Sequence, residues 1–349
     1  MGQILLLGMA AGAASALLVA GVAAGTMLAV PLFYLAPLPI MLAGLAFTHW
    51  AALLGLAVAS AGLGLVFGST FLLAYVFGIG GPAWVIAYCA LLARSNPAAR
   101  DGLTWGIGGP AWVIAYCALL ARSNPAARDG LTWFPVGGLV LVSAAISAVS
   151  VAVALLSVAS SYDAYIAAIN SAFEAFMEVQ GDAGARTGLN PADASGIGTM
   201  VAKILPPTAG ALSMVTQLCC LYLAGKAAQV SGRLTRPWPD LAAWRLPAAT
   251  SLALALLVAL SVVPGMAGLA ASVGAATLVT AYVLAGFATL HFLTRGARAR
   301  LVILTAAWVS TLALGWPALL IGLLGLVDAM FDLRTRMSSG GGPPAANDR

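Results

Sequence analysis

The stretch 134–158, FPVGGLVLVSAAISAVSVAVALLSV, runs for twenty-five residues without a charged side chain. About 20 apolar residues already carry a helix across a bilayer core of about 30 Å. Ten predominantly apolar runs follow one another along the chain, at about 4–25, 29–47, 50–68, 70–93, 134–158, 197–224, 247–263, 267–294, 300–315 and 317–333. They are rich in Ala, Leu, Gly and Val and do not alternate, so the spanning elements are helices and not barrel strands. Only 8% of the residues are charged and 62% are hydrophobic, whereas a soluble domain carries roughly 25% charge. The predicted fold class is therefore all-α: a polytopic transmembrane helix bundle of about ten spans plus a duplicated segment that reads as re-entrant. The apolar N-terminus lacks a basic leader and continues past any cleavage point, so it reads as the first span.

The basic residues predict orientation. Lys226, Arg233, Arg236 and Arg245 crowd the loop 225–246, Arg295, Arg298 and Arg300 the loop 295–300, and Arg334 and Arg336 follow the last span. Such clusters face the cytoplasm. The segment 159–196 is acidic, with Asp163, Glu174, Glu178, Asp182 and Asp193 against Arg186, and should face outward. The alternation places both termini in the cytoplasm and the protein in a bacterial inner membrane. The net charge of +5 is explained by this arrangement, and no nucleic acid is expected as a partner. Residues 1–336 form the membrane domain, and 337–349, MSSGGGPPAANDR, read as a disordered cytoplasmic tail.

Within 159–196, Tyr162, Tyr165, Ile166, Ile169, Phe173, Phe176 and Met177 recur at spacings of three and four. This is an amphipathic helix, lying on the bilayer or bundle, or serving as a lid over an outward cavity. The following GDAGARTGLNPADASGIG reads as a loop.

Residues 78–105, GIGGPAWVIAYCALLARSNPAARDGLTW, recur without change at 106–133. Seventeen apolar residues, 105–121, reach only ~26 Å as a helix, and they open on GIGGP, a poor helix interior. If they crossed, the same arginine-bearing loop would sit on both faces. The second copy therefore reads as a re-entrant, interfacial or strained segment, with a true extra span as the alternative, and as the product of a tandem duplication.

Polar residues inside spans are costly and tend to mark function. Lys203 stands just before Pro206 and Pro207, either snorkelling to the interface or meeting an anion. Gln217 lies deeper in the same helix with Ser213 and Thr216, as packing glue or as a ligand contact. Pro31, Pro37 and Pro39 crowd one short run, PLFYLAPLPIMLAGL. Prolines break or kink a helix there, and broken helices build many transporter sites. The candidate substrate pocket is therefore Pro31, Pro37, Pro39, Lys203 and Gln217. Asp328 and Asp332, followed by Arg334 and Arg336, read as a salt-bridged helix end. His49 and His291 sit at span ends and read as structural. Cys89, Cys117, Cys219 and Cys220 lie in apolar context without a CxxC, so no redox pair or zinc site is expected. No catalytic motif is visible, and neither an enzyme nor a cofactor is expected.

The stretches YLAPLPIMLAGL (34–45), WFPVGGLVL (133–141), WRLP (244–247), GFATLHFLTRG (286–296) and WPALLIGLLGLVDAMFDLR (316–334) resemble the YybS-like predicted membrane proteins of bacteria. That family is more distantly similar to the substrate-binding S-components of energy-coupling-factor transporters. The resemblance implies a membrane bundle and brings no catalytic residues. The leading expectation is small-molecule transport or substrate capture, with lipid, a small ligand and membrane proteins as partners. The alternative is a non-transporting scaffold or assembly factor.

Overall fold

The computed structural model describes residues 2–24, 29–95, 131–179 and 191–339. Its helices are α1 (Gly2–Ala20), α2 (Ala29–Tyr34), α3 (Pro37–Ala46), α4 (His49–Phe67), α5 (Ser69–Tyr75), α6 (Gly81–Ala90), α7 (Val136–Val158), α8 (Tyr162–Val179), α9 (Pro191–Val230), α10 (Ala249–Ser261), α11 (Met266–Leu293), α12 (Arg300–Leu314), α13 (Pro317–Phe331) and α14 (Leu333–Ser339). A π-helical turn, Val76–Gly80, joins α5 to α6. Two three-residue strands, β1 (Ala93–Ser95) and β2 (Leu131–Trp133), complete the set.

The expected all-helical membrane bundle is present. Among the described residues, seven spans are long and apolar enough to cross a bilayer: α1, α2 with α3, α4, α5 with α6, α7, α9 from Gly196, and α11. The remaining predicted spans, α10, α12 and α13, are helices of 13, 15 and 15 residues. At 1.5 Å per residue they reach only ~20–23 Å.

Two boundaries differ from expectation. Residues 191–197, expected as loop, open α9: Pro191 stands at the first helical position, where its fixed φ favours the turn and its missing N–H costs nothing. The helix α14 extends to Ser339, into the predicted tail. Residues 180–190 and 340–349 lie outside the described residues.

The chain divides into two compact units. One comprises Met1–Trp238 with Leu257–Thr277, the other Pro239–Leu256 with Leu278–Arg349. In the first, α3 packs against α1, α4, α6 and α9. Its core joins Ile40 and Met41 of α3, Ile86 and Cys89 of α6, Leu139 and Val142 of α7, and Cys220, Ala224 and Ala228 of α9. The glycine- and alanine-rich face of α1 lies on α4. There Gly12 comes so near that a Cβ on it would stand 2.5 Å from the Gly55 carbonyl oxygen, the close approach that small residues permit between membrane helices. The amphipathic face of α8 packs on the bundle: Tyr165 is buried with Ala202, Leu155, Leu269 and Val273, and its hydroxyl donates to the Ala202 carbonyl at 3.0 Å.

The strands bracket residues 96–130 of the repeat. β1, from the first copy, pairs antiparallel with β2, from the second, in the register Ala93↔Trp133, Arg94↔Thr132 and Ser95↔Leu131. The Phe134 N–H donates to the Leu92 carbonyl at 2.9 Å. The reading of 105–121 as re-entrant falls on residues outside the described ones, but the strands on either side of it are hydrogen-bonded neighbours. Deleting 106–133 joins Trp105 to Phe134 and leaves ARS and LTW to form the same pair. The shortened chain is expected to be made and folded as well as the full one, with an N-terminal reporter on the same side of the membrane. A reporter that changes sides would show that the second copy crosses.

Candidate functional site

The proline-rich run breaks at Leu35 and Ala36, between α2 and α3. Pro37 and Pro39 have no N–H to offer the carbonyls of Phe33 and Leu35 four residues back. Those carbonyls instead accept from Ala36 and Leu38, each at 3.0 Å. Leu38 is thereby diverted from Tyr34, whose carbonyl accepts from the Cys220 thiol of α9 at 3.3 Å. The Ala36 carbonyl accepts from the Ser15 hydroxyl at 2.6 Å. Ser15 has one proton, so the Tyr75 hydroxyl, 2.6 Å away, donates to the Ser15 oxygen. The break is thus held by α1, α5 and α9. Pro31 lies in the first turn of α2, exposed, and takes no part in it.

The other two predicted residues lie on α9. Its buried stripe runs through Ala202, Met214, Gln217, Cys220, Ala224 and Ala228. Lys203 is off this stripe and exposed. Fourteen residues, ~21 Å of helix, separate it from Gln217, so the two do not serve one pocket. Gln217 sits one turn before Cys220, the residue bonded to the proline break. It is 2% exposed, and its Oε1 has no hydrogen-bond partner.

Two further residues share that condition. Ser143 and Ser147, 0% and 1% exposed, stand one turn apart on α7, and neither hydroxyl has a partner. A helix serine ordinarily bonds back to its own backbone; these two do not. The helices α7 and α9 pack on each other. Near one end Leu139 and Val142 share a cluster with Cys220 and Ala224; near the other Leu155 shares one with Ala202. The numbering therefore runs in opposite directions, and Ser143, Ser147 and Gln217 fall in the same middle stretch of the pair. The other buried polar atoms of this unit without a partner, on His49, Trp84 and Asn170, belong to partly exposed side chains.

One turn beyond Ser147, the Ser150 hydroxyl donates to the Phe77 carbonyl at 2.6 Å. The Gly81 N–H bonds to Val76 in the π-turn, and Pro82 has no N–H, so Phe77 is left without a helical donor. On α7, Ser143, Ser147 and Ser150 lie within about 60° of one another at 3.6 residues per turn. Their spacing in SAAISAVS is the signal in the sequence that points to this face, and polarity alone does not single it out.

The second unit carries a buried ion pair. At the end of α13, Asp332 adopts φ 55° and turns the chain so that Arg334 folds back on Asp328. The Arg334 Nε and Nη2 donate to Asp328 Oδ2 at 2.9 Å and 2.8 Å, and its Nη1 and Nη2 to the carbonyls of Ala242 and Trp244 at 2.7 Å and 3.0 Å. Asp332 pairs with Arg245. Asp240 pairs with Arg295 at 2.6 Å, whose guanidinium holds the carboxyl below the usual carboxylate range. Every member is paired, so this cluster reads as a clasp on the connector 239–248. Among the described residues no group of His, Cys, Asp or Glu forms a metal centre.

No curated protein and no solved structure matches the chain. The family described as Predicted membrane protein (DUF2232) matches residues 128–329, more than half of the chain and the whole of α7 to α12. Gln217, Ser143 and Ser147 lie inside that span, while the proline-rich run lies before it. The chain belongs to this family of predicted membrane proteins.

Proposed function

We propose that the first unit captures or conducts a small molecule, with Ser143, Ser147 and Gln217 as its polar contacts. The observation that carries this reading is the absence of a partner for three buried polar atoms, the Ser143 and Ser147 hydroxyls and the Gln217 Oε1, in one stretch of the α7–α9 pair. An unpaired buried polar group costs about 1–3 kcal/mol, and in a membrane bundle such groups tend to mark a ligand path. The proline break, by contrast, is economical: the carbonyls released there find donors. That economy supports an architectural role for Pro37 and Pro39, so replacing Pro39 with alanine should leave ligand binding unchanged. It also favours the second reading, a non-transporting scaffold, wherever the three groups prove dispensable. In neither reading is the protein an enzyme.

A thermal-shift screen on the purified full chain, run beside Gln217→Leu, tests the reading. Ligands that stabilise the parent and lose about tenfold in affinity in the variant are expected. A screen in which every stabilising ligand is indifferent to Gln217 would sink it.

The proposed setting is a bacterial inner membrane with the loops 225–246 and 295–300 in the cytoplasm. A single cysteine at position 298 of a cysteine-free variant should resist an impermeant thiol reagent in intact cells and react after permeabilisation. Strong labelling without permeabilisation would reverse the orientation.

A further inference from the structure

We infer that the ligand of the α7–α9 site is an uncharged molecule that donates at least one hydrogen bond, an amide or alcohol and not a carboxylate or an ammonium. This rests on the reading of Ser143, Ser147 and Gln217 as ligand contacts and names the class that those contacts select.

The inventory of the site gives the first half of the argument. In the orientation the side chain adopts, the unpartnered atom of Gln217 is Oε1, which only accepts, so in that orientation the ligand brings an N–H or O–H. The hydroxyls of Ser143 and Ser147 both donate and accept, so they suit a group that presents either. A carboxylate has no proton for Gln217 and would leave Oε1 as it is now.

The second half comes from charge. Among the described residues of this unit, no buried side chain is charged. Lys203 is exposed, ~21 Å along the helix. Lys226, nine residues beyond Gln217 in the other direction, donates to Gln229 at 3.0 Å and lies 3.9 Å over the Trp238 ring. Arg236 donates to the Ala90 carbonyl at 3.1 Å. Val142 and Ala144, on either side of Ser143 in the chain, and Met214, one turn before Gln217, are apolar and buried. An ion placed there would lose its water and gain no counter-charge, which is the most expensive way to bury a group. Neutral hydrogen-bonding groups meet no such cost.

Isosteric probes separate shape from charge. Benzamide, benzoate and benzamidinium, with acetamide, acetate and acetamidinium as a smaller set, would be titrated against the full chain in detergent by saturation-transfer NMR. The amidinium carries the donors that Oε1 needs but replaces the amide's carbonyl acceptor with a second donor group and a positive charge. The expected result is binding of an amide, at least about tenfold weaker binding of its amidinium and carboxylate, and about tenfold loss of amide affinity in Ser143→Ala and in Gln217→Leu. Gln217→Glu should shift the preference towards the amidinium. An amidinium or carboxylate that binds as well as the amide, and still depends on Ser143 and Gln217, would overturn the class and leave the site standing. Binding of no probe, or binding indifferent to both substitutions, would remove the site and the class with it.

Discussion

Replacing Arg334 with methionine should destabilise the second unit by about 3–5 kcal/mol, the cost of leaving a buried charge without its partner. Arg334 and Asp328 have side chains 1% and 2% exposed. Remove the guanidinium and Asp328 keeps only the Arg334 backbone N–H at 3.3 Å and the Thr289 hydroxyl at 3.3 Å. The carbonyls of Ala242 and Trp244 are deprived of their donors in the same step. Lysine should not rescue, because its single ammonium does not reproduce a planar fork that spans a carboxylate and two carbonyls. Removing both charges, in Asp328→Leu with Arg334→Met, should recover part of the loss, since the unpaired charge and not the missing attraction dominates. Denaturant unfolding of the purified chain, compared across the three variants, measures this. A loss below about 1 kcal/mol in Arg334→Met would place the pair in the class of exposed bridges and refute the clasp.

That clasp is only half legible in the sequence. Asp328, Asp332, Arg334 and Arg336 read as a salt-bridged helix end, and the pairs Asp328–Arg334 and Arg245–Asp332 are there. The burial of Arg334 is not legible, because basic residues after a span ordinarily report orientation. It depends on the left-handed turn at Asp332 and on carbonyls some ninety positions earlier. The same distinction runs through the first unit. Long apolar runs announce spans such as α7 and α9, since length against bilayer thickness needs no tertiary knowledge. In those helices both the lipid-facing and core-facing sides are apolar, so periodicity does not say which side packs. Where one face is wet, as in α8, the pattern names packed residues, Tyr162, Tyr165, Ile166 and Ile169, although Phe176 of the same stripe is exposed. Gln217 stands out because an amide in a span is conspicuous. Ser143 and Ser147 do not, because serine in an alanine-rich helix usually satisfies itself. The break at Leu35 and Ala36 follows from Pro37 and Pro39; its donors, Ser15 and Cys220, lie too far off in sequence to be foreseen.

Alanine at Gly286 or Gly325 should cost about 1–3 kcal/mol, the range for overpacking a tight interface, although alanine is the better helix former by about 1 kcal/mol. Gly286 is in α11 and Gly325 in α13. A Cβ on Gly286 would run into the Ile321 carbonyl of α13, and one on Gly325 would run into the Tyr282 carbonyl and the Gly286 backbone of α11. Each clash is with backbone and not with the end of a flexible side chain, so a rotamer change does not relieve it. The two helices must move apart, and the separation spreads along them. Close backbone approach at small residues is a main source of helix association where lipid is as apolar as the interface, so leucines nearby do not make up for that separation. Gly322, whose Cβ would meet the Val283 side chain at 3.2 Å, serves as a control: alanine there should be tolerated within about 1 kcal/mol. The two positions face the same crossing, so the double variant should cost less than the sum of the singles, as expected for residues that touch. Equal stability of Gly286→Ala and Gly322→Ala in denaturant unfolding would mean that the crossing is not set by these glycines.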